Sequence, residues 1–180
     1  MEGLLFIAEE KTPINIFILD TSAVVGGFLP SMSAAEIFTT REVIEEAKAT
    51  LTRLKMEAAL ATEKIKIKEP SRESLQKIAE ELNKTGDRLS TTDIRLLALA
   101  LDHKDRGLLL TDDYAVQNVA ASLGIKYRSV AMAGIKAKFI WKGYCPVCKK
   151  WHPVSKRECE ICGSKLLRKP GRVSFYKKKA

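Results

Sequence analysis

Two hydrophobic periods alternate along the first two thirds of the chain. Residues 14–19 (Ile-Asn-Ile-Phe-Ile-Leu) are short, mostly apolar and rich in β-branched side chains, and they stop at Asp20, which predicts a strand. Gly26-Gly27-Phe28-Leu29-Pro30 reads as a loop with a short helix. Thr39 precedes Glu42 by three, a capping-box pattern. Val43, Ile44, Ala47, Leu51, Leu54, Ala58 and Ala61 then recur mostly at steps of three and four, predicting one amphipathic helix to about Thr62. Residues 65–68 alternate apolar and basic as a short strand that Pro70 ends; Ser71 caps a helix to about Lys84, which Gly86 closes. Ser90, three before Asp93, starts a further helix over 91–103. Residues 108–111 form an apolar strand ending at Asp112, residues 114–123 a helix stopped by Gly124, and residues 125–130 a last strand. Strands alternating with helices predict an α/β domain whose parallel sheet is covered on both faces.

Charge changes the picture beyond residue 135. Residues 1–135 carry 17 Lys and Arg against 20 Asp and Glu, whereas residues 136–180 carry 14 against 2, and the whole is +9. Such asymmetry points to an acidic partner for the C-terminal part, nucleic acid above all, with a merely solubilising tail as the alternative. The 180 residues, 46% hydrophobic, suffice for one core and a small appendage. No run approaches the roughly 18 apolar residues of a membrane span, and the N-terminus has no basic signal-peptide region. The expectation is a soluble, cytoplasmic protein without a membrane partner. Five Asn and Gln among many Lys, Arg and Glu lean toward a thermophilic source.

All four cysteines lie in the basic part, as Cys145-Pro-Val-Cys148, ten residues, then Cys159-Glu-Ile-Cys162. Two such knuckles make a four-thiolate tetrahedral site, the closed geometry of structural Zn2+. The ion supplies folding energy to a segment too small for a core of its own. His152 is expected at the surface, since four thiols complete the site. Around the knuckles, Lys142, Lys149, Lys150, Lys156, Arg157 and Lys165 interleave with Trp141, Tyr144 and Trp151, followed by Arg168 and Lys169. Cations bind phosphates and exposed aromatics stack on unpaired bases, although at least one aromatic is expected to pack the small core. The RNA-contact candidates are Lys142, Lys149, Lys150, Trp151, Lys156, Arg157, Arg168 and Lys169.

The acids supply the candidate chemistry. Asp20 and Asp112 each follow an apolar strand, and ligands of open parallel sheets bind beyond the strands' carboxyl ends. Asp113 is adjacent, Asp93 begins a helix, and Glu46 lies on the long one, with Glu42 one turn away. Structural roles compete with each: Asp93 as a dipole partner, Asp112 or Asp113 as an N-cap, Glu46 on a solvated face. Carboxylates gathered around one cavity repel unless a cation neutralises them, and oxygen-only ligands favour Mg2+ or Mn2+. Such an ion can activate water and clamp a phosphate. Thr21, Ser22 and Thr111 are placed to hold waters or a ligand carboxylate.

Four segments resemble the acidic motifs of PIN-domain nucleases: Ile18-Leu19-Asp20-Thr21-Ser22-Ala23, residues 40–46 ending in Glu46, Leu89-Ser90-Thr91-Thr92-Asp93, and Leu110-Thr111-Asp112-Asp113-Tyr114. The resemblance implies metal-binding, catalytic roles for Asp20, Glu46, Asp93 and the Asp112-Asp113 pair. With the cysteine ribbon and basic tail the chain is similar to the Nob-type ribosome-maturation endoribonucleases, of compact, archaeal-like length. What this implies is cleavage of precursor small-subunit ribosomal RNA near its mature 3′ end, on a pre-ribosomal particle where assembly factors are further possible partners. The organisation is then a PIN-like nuclease domain over 1–130, a linker over 131–140, a zinc ribbon over 141–168 and a basic tail over 169–180. Two other readings are a toxin-type PIN ribonuclease acting on tRNA or mRNA, whose chains usually lack a ribbon, and a non-catalytic RNA-binding assembly factor.

Overall fold

The computed structural model describes residues 13–25, 35–47, 50–130 and 137–175. The first unit runs β1 (Ile16–Leu19), α1 (Thr21–Val25), β2 (Glu36–Thr39), α2 (Arg41–Glu46), α3 (Thr50–Ala61), β3 (Lys66–Ile67), α4 (Arg72–Thr85), α5 (Thr91–Asp102), β4 (Gly107–Leu110), α6 (Tyr114–Leu123) and β5 (Tyr127–Arg128). Its five strands lie in the order β3-β2-β1-β4-β5, every pair parallel. The order reverses at β1, so the carboxyl ends of β1 and β4 flank the switch point where such sheets place their ligands. β1 and β4 are apolar without alternation because both faces are covered. Ile18, Leu19, Leu109 and Leu110 are fully buried, each contributing about 1.5–3 kcal/mol. Leu96 to Ala100 are five consecutive buried residues, which makes α5 a core helix.

Local signals set the helix ends. Ser71 accepts from the Ser74 amide and Gly86 closes α4 with a left-handed φ of 72°. Ser90 and Asp93 form a reciprocal capping box on α5. The expected long helix to Thr62 is instead two, because the backbone turns at Ala47 (ψ 82°). Apolar periodicity runs through the break since Val43, Ala47, Met56 and Ala59 all face the same core. Thr39, expected to start that helix, ends β2, a strand not expected at all. Its hydroxyl donates to the Leu19 carbonyl at 2.9 Å, and Thr40 is the N-cap. The two outer strands are shorter than expected, and the loop-helix expected over 26–30 lies outside the described residues.

The second unit is a three-stranded antiparallel sheet, β7-β6-β8, from β6 (Ala137–Tyr144), β7 (Trp151–His152) and β8 (Leu167–Phe175). β6 begins inside the stretch expected as linker, and β8 runs through residues expected as tail. Pro170 and Gly171 lie within β8, where a register shift opposite Ile140 and Trp141 takes them up as a bulge. No described helix is long and apolar enough to cross a membrane.

Candidate active site and zinc ribbon

Asp20 sits where β1 ends and is held from three directions. The Thr21 amide donates to Oδ1 (2.6 Å), while the Ser22 hydroxyl (3.0 Å) and the fully buried Thr111 hydroxyl (2.7 Å) donate to Oδ2. Thr111 Oγ1 also accepts the Asp113 amide (3.1 Å), and Ser22 Oγ accepts the Asp112 amide (3.1 Å), so the ends of β1 and β4 are tied together. Burial pushes the Asp20 carboxyl above its ordinary range. The three hydrogen bonds oppose this, and the charge of Asp113 adds to it. Asp93 is raised likewise, first by burial and then by the charges of Asp113 and Asp20, against the hydrogen bonds from Ser90. These three acids therefore share one electrostatic neighbourhood. Glu46 joins at its edge, accepting from Thr92 Oγ1 at 2.6 Å, one residue from Asp93.

The residues that were open in sequence separate here. Glu42 pairs with Arg95 at 2.5 Å, and Arg95 also bridges to Glu69. Burial would raise Glu42, but its own amide and Arg95 hold it below the usual range. Asp112 Oδ1 is taken by the Ser129 hydroxyl and the Val130 amide (2.9 Å) after β5, so it braces that loop. Asp113 is the N-cap of α6, its Oδ1 accepting from Ala115 N (2.6 Å) and Val116 N (3.0 Å), and its charge reaches Asp20 and Asp93. Among the described residues, only the four cysteines form a group of three or more acidic, His or Cys side chains with all ligand atoms within 4.8 Å of one another.

Those sulfurs have the dimensions of a metal site. Cys145–Cys162, Cys148–Cys159 and Cys148–Cys162 Sγ separations are 3.5, 3.3 and 3.7 Å. A tetrahedron of Zn–S bonds separates sulfurs by about 3.8 Å, whereas a disulfide holds them at about 2.0 Å. The knuckles repeat one geometry. Lys149 N bonds to Cys145 O and Gly163 N to Cys159 O, while Cys145 N bonds to Lys150 O and Cys159 N to Ser164 O. Both residues after the second cysteine are left-handed, Lys149 at φ 60° and Gly163 at φ 70°. Hydrogen bonds from Ser164 draw the Cys162 thiol down to about 6, while those from Cys159 and Cys145 push Cys148 up to about 12, so the four sulfurs share their protons as one group. His152 is not at the surface. It is buried, with Nε2 3.3 Å from Cys159 Sγ, and it fills the space behind the thiols.

A sequence family described as the PIN domain of ribonuclease matches residues 17–102, which include Asp20, Glu46 and Asp93. Endoribonuclease Nob1 of Methanocaldococcus jannaschii is 42% identical over 168 residues, 92% of this chain and 83% of that protein. Endoribonuclease Nob1 of Methanothermobacter thermautotrophicus is 38% identical, over 84% of this chain and 91% of its own. The chain belongs to the PIN-domain ribonucleases. Ribonuclease VapC1 of Thermoplasma acidophilum is also similar, 34% identical over 155 residues. That span exceeds the PIN domain, so it reaches into the cysteine-bearing part.

In this PIN-domain ribonuclease the ribbon leans on the nuclease domain through a polar junction that nothing local in sequence announced. Asp87, buried in the turn after α4, accepts from Asn118 Nδ2 (2.6 Å) and Trp141 Nε1 (2.8 Å). Arg168 donates to the Gly86 carbonyl (2.8 Å) and stacks on Trp141, 3.8 Å from the ring centroid. Trp141 and Arg168 are thus committed to the junction. Tyr144 lies between Trp151 and Lys169, with the Lys169 ammonium 4.5 Å from its ring. Trp151 stays 47% exposed, and Lys142, Lys149, Lys150, Lys156 and Arg157 are exposed, as phosphate or base contacts require.

Proposed function

We propose that the chain is a divalent-metal-dependent endoribonuclease that cuts precursor small-subunit ribosomal RNA near its mature 3′ end. Endoribonuclease chemistry follows from membership of the family. The grip of Thr111 and Ser22 on Asp20, beside Asp93 and Asp113, supports the metal-dependent mechanism. Acids raised by burial and mutual charge release strain on taking up a cation, and oxygen donors alone select Mg2+ or Mn2+. Asp20, Asp93, Asp113 and Glu46 would hold it, directly or through water; the ion would activate water and stabilise the attacked phosphate. Thr111 and Ser22 fix the Asp20 carboxylate, Ser90 fixes Asp93, and Thr92 fixes Glu46. The rRNA substrate is what the Nob-type resemblance implies. Zn2+ in the four thiols would be structural, because no coordination position is left open.

The test is cleavage of an RNA spanning the mature 3′ end, with Mn2+, by the wild-type chain and by Asp20→Asn. The variant should lose several kcal/mol of transition-state stabilisation, about a thousandfold in rate. Metal competes with protons for Asp20 and Asp93, whose pKa values are raised. The rate should therefore rise with pH through a limb above the ordinary carboxylate range, and fall as acid protonates them. Metal-independent cutting, or an unaffected variant, rejects the mechanism. The match to Ribonuclease VapC1 keeps a second reading, a ribonuclease with an RNA substrate other than precursor rRNA; preference for tRNA or mRNA in the same assay would favour it.

A further inference from the structure

The junction between the two units encloses a cleft of about 630 Å3. One wall carries Arg88 of the nuclease domain; the other carries Lys156, Arg157, Lys165 and Arg168 of the ribbon, with Glu158 the one acid among the lining residues. Two of these cations are already occupied. Lys156 pairs with Glu160 at 2.8 Å, and Arg168 is spent on Gly86 and Trp141. Arg88, Arg157 and Lys165 are exposed and make no ion pair with any described residue. Arg88 even stands near enough to Arg168 for its charge, after burial, to weaken that guanidinium's hold on its proton. The fold thus gathers an excess of positive charge from two units around one concavity, with Glu158, bridged through its backbone to Lys165, the one acid among the lining residues, which favours a polyanion over a small ion.

The cleft's position selects the polyanion. Arg88 lies two residues before Ser90, whose hydroxyl holds Asp93, so one short turn carries both a cleft wall and an edge of the acidic pocket. Two residues of chain span at most about 7 Å. We infer that the cleft seats the phosphodiester backbone of the single RNA strand being cut, with Arg88, Arg157 and Lys165 as its phosphate contacts. A cleft of this volume has room for a short stretch of one strand. This inference rests on the nuclease reading, and it adds a specific path. The repulsive acids receive the scissile phosphate only because adjacent phosphates are held by cations on both walls. Asp87 and Trp141 then act as positioning residues that set the distance between those walls.

The test uses the full-length, zinc-loaded chain and a fluorescent single-stranded oligouridine, with affinity measured by anisotropy across a salt series. The variant combines Arg88→Gln, Arg157→Gln and Lys165→Gln, all at exposed positions. A control removes the same charge from the groove between α4 and α5, by Lys77→Gln, Lys84→Gln and Lys104→Gln. Loss of three phosphate contacts should weaken binding about tenfold or more and reduce the salt slope by about 2, with the control within about twofold. An unchanged slope and affinity, an equal loss in the control, or no RNA binding by the wild type overturns the inference. Cleavage is read separately. If the wild type binds but never cuts while the triple variant loses binding, the nuclease reading fails and the cleft stands. If the wild type cuts and the triple variant binds as tightly, the cleft fails and the nuclease reading stands.

Discussion

In the nuclease domain the key side chain, Asp20, is held by a hydroxyl from a residue 91 positions away, and that geometry rests on buried apolar side chains reaching from Ile16 to Ile125. In the ribbon the fully described buried residues are Gly143, Cys145, His152 and Cys159, and its four thiols span only 18 residues of chain. The first unit has a solvent-excluded core, and the candidate acids sit at the strand ends of that core. Among its described residues the second unit buries few side chains, and two of them are cysteines of the thiol cluster. If the acids form the proposed site, they are an addition to a fold with its own core, whereas a zinc ion held by the cysteines would supply much of the ribbon's folding energy.

The largest expected effect breaks the ribbon alone. Removing Zn2+ with a chelator, or substituting Cys145→Ser, should forfeit on the order of 10 kcal/mol of metal-linked folding free energy. Both tryptophans of the chain, Trp141 and Trp151, lie on ribbon strands, so their fluorescence reports that unit. Their emission should shift red on chelation while far-ultraviolet circular dichroism keeps the helices of the nuclease domain. Simultaneous loss of the helical signal would show that the two units are not independent in the way the comparison requires.

A smaller effect should come from Gly86→Ala, which strikes where the units meet. Gly86 has φ 72°, and a Cβ there would lie 2.7 Å from Val154 Cγ1. The left-handed conformation costs about 1–2 kcal/mol for a residue with a Cβ, and the displaced ribbon side chain about 1–3 more. The Trp141 indole proton, bonded to Asp87, should exchange faster with solvent, while zinc content and the Trp151 signal stay as in the wild type. Equal protection of the Trp141 proton in wild type and variant would mean that the ribbon is not seated by this contact.

The same division decides what could be read from sequence. The zinc knuckles and the caps at Ser71, Ser90 and Gly86 are set by residues within a few positions of each other, so spacing reveals them. β2 is four residues whose strand character comes from pairing with β1, and no local pattern marks it. The break at Ala47 is hidden because both flanking helices present apolar faces to one core. At the site, Asp20 was legible as an acid ending a buried strand. Sequence leaves Glu46 or Glu42, and Asp112 or Asp113, open because the partners that engage Glu42 and Asp112, Arg95 and Ser129, lie far along the chain or in another element. Asp87 carried no signal at all, since its partners Asn118 and Trp141 are 31 and 54 residues away.

The smallest predicted change uses the likeness of the two knuckles against each other. Gly163 supplies the left-handed turn after the second pair, but the first pair is followed by Lys149, which adopts the same turn at φ 60° with a side chain attached. Lys149→Gly removes a backbone penalty of about 1–2 kcal/mol and adds about 0.5–1 kcal/mol of unfolded-chain entropy, leaving a net gain of about 0.5 kcal/mol. The ribbon should hold Zn2+ slightly more tightly in competition with a chelator. RNA affinity should fall by a few-fold, because one exposed cation is lost. Tighter zinc with unchanged RNA binding would place Lys149 outside the RNA contacts. Weaker zinc would mean that the lysine side chain contributes more to the knuckle than its backbone costs.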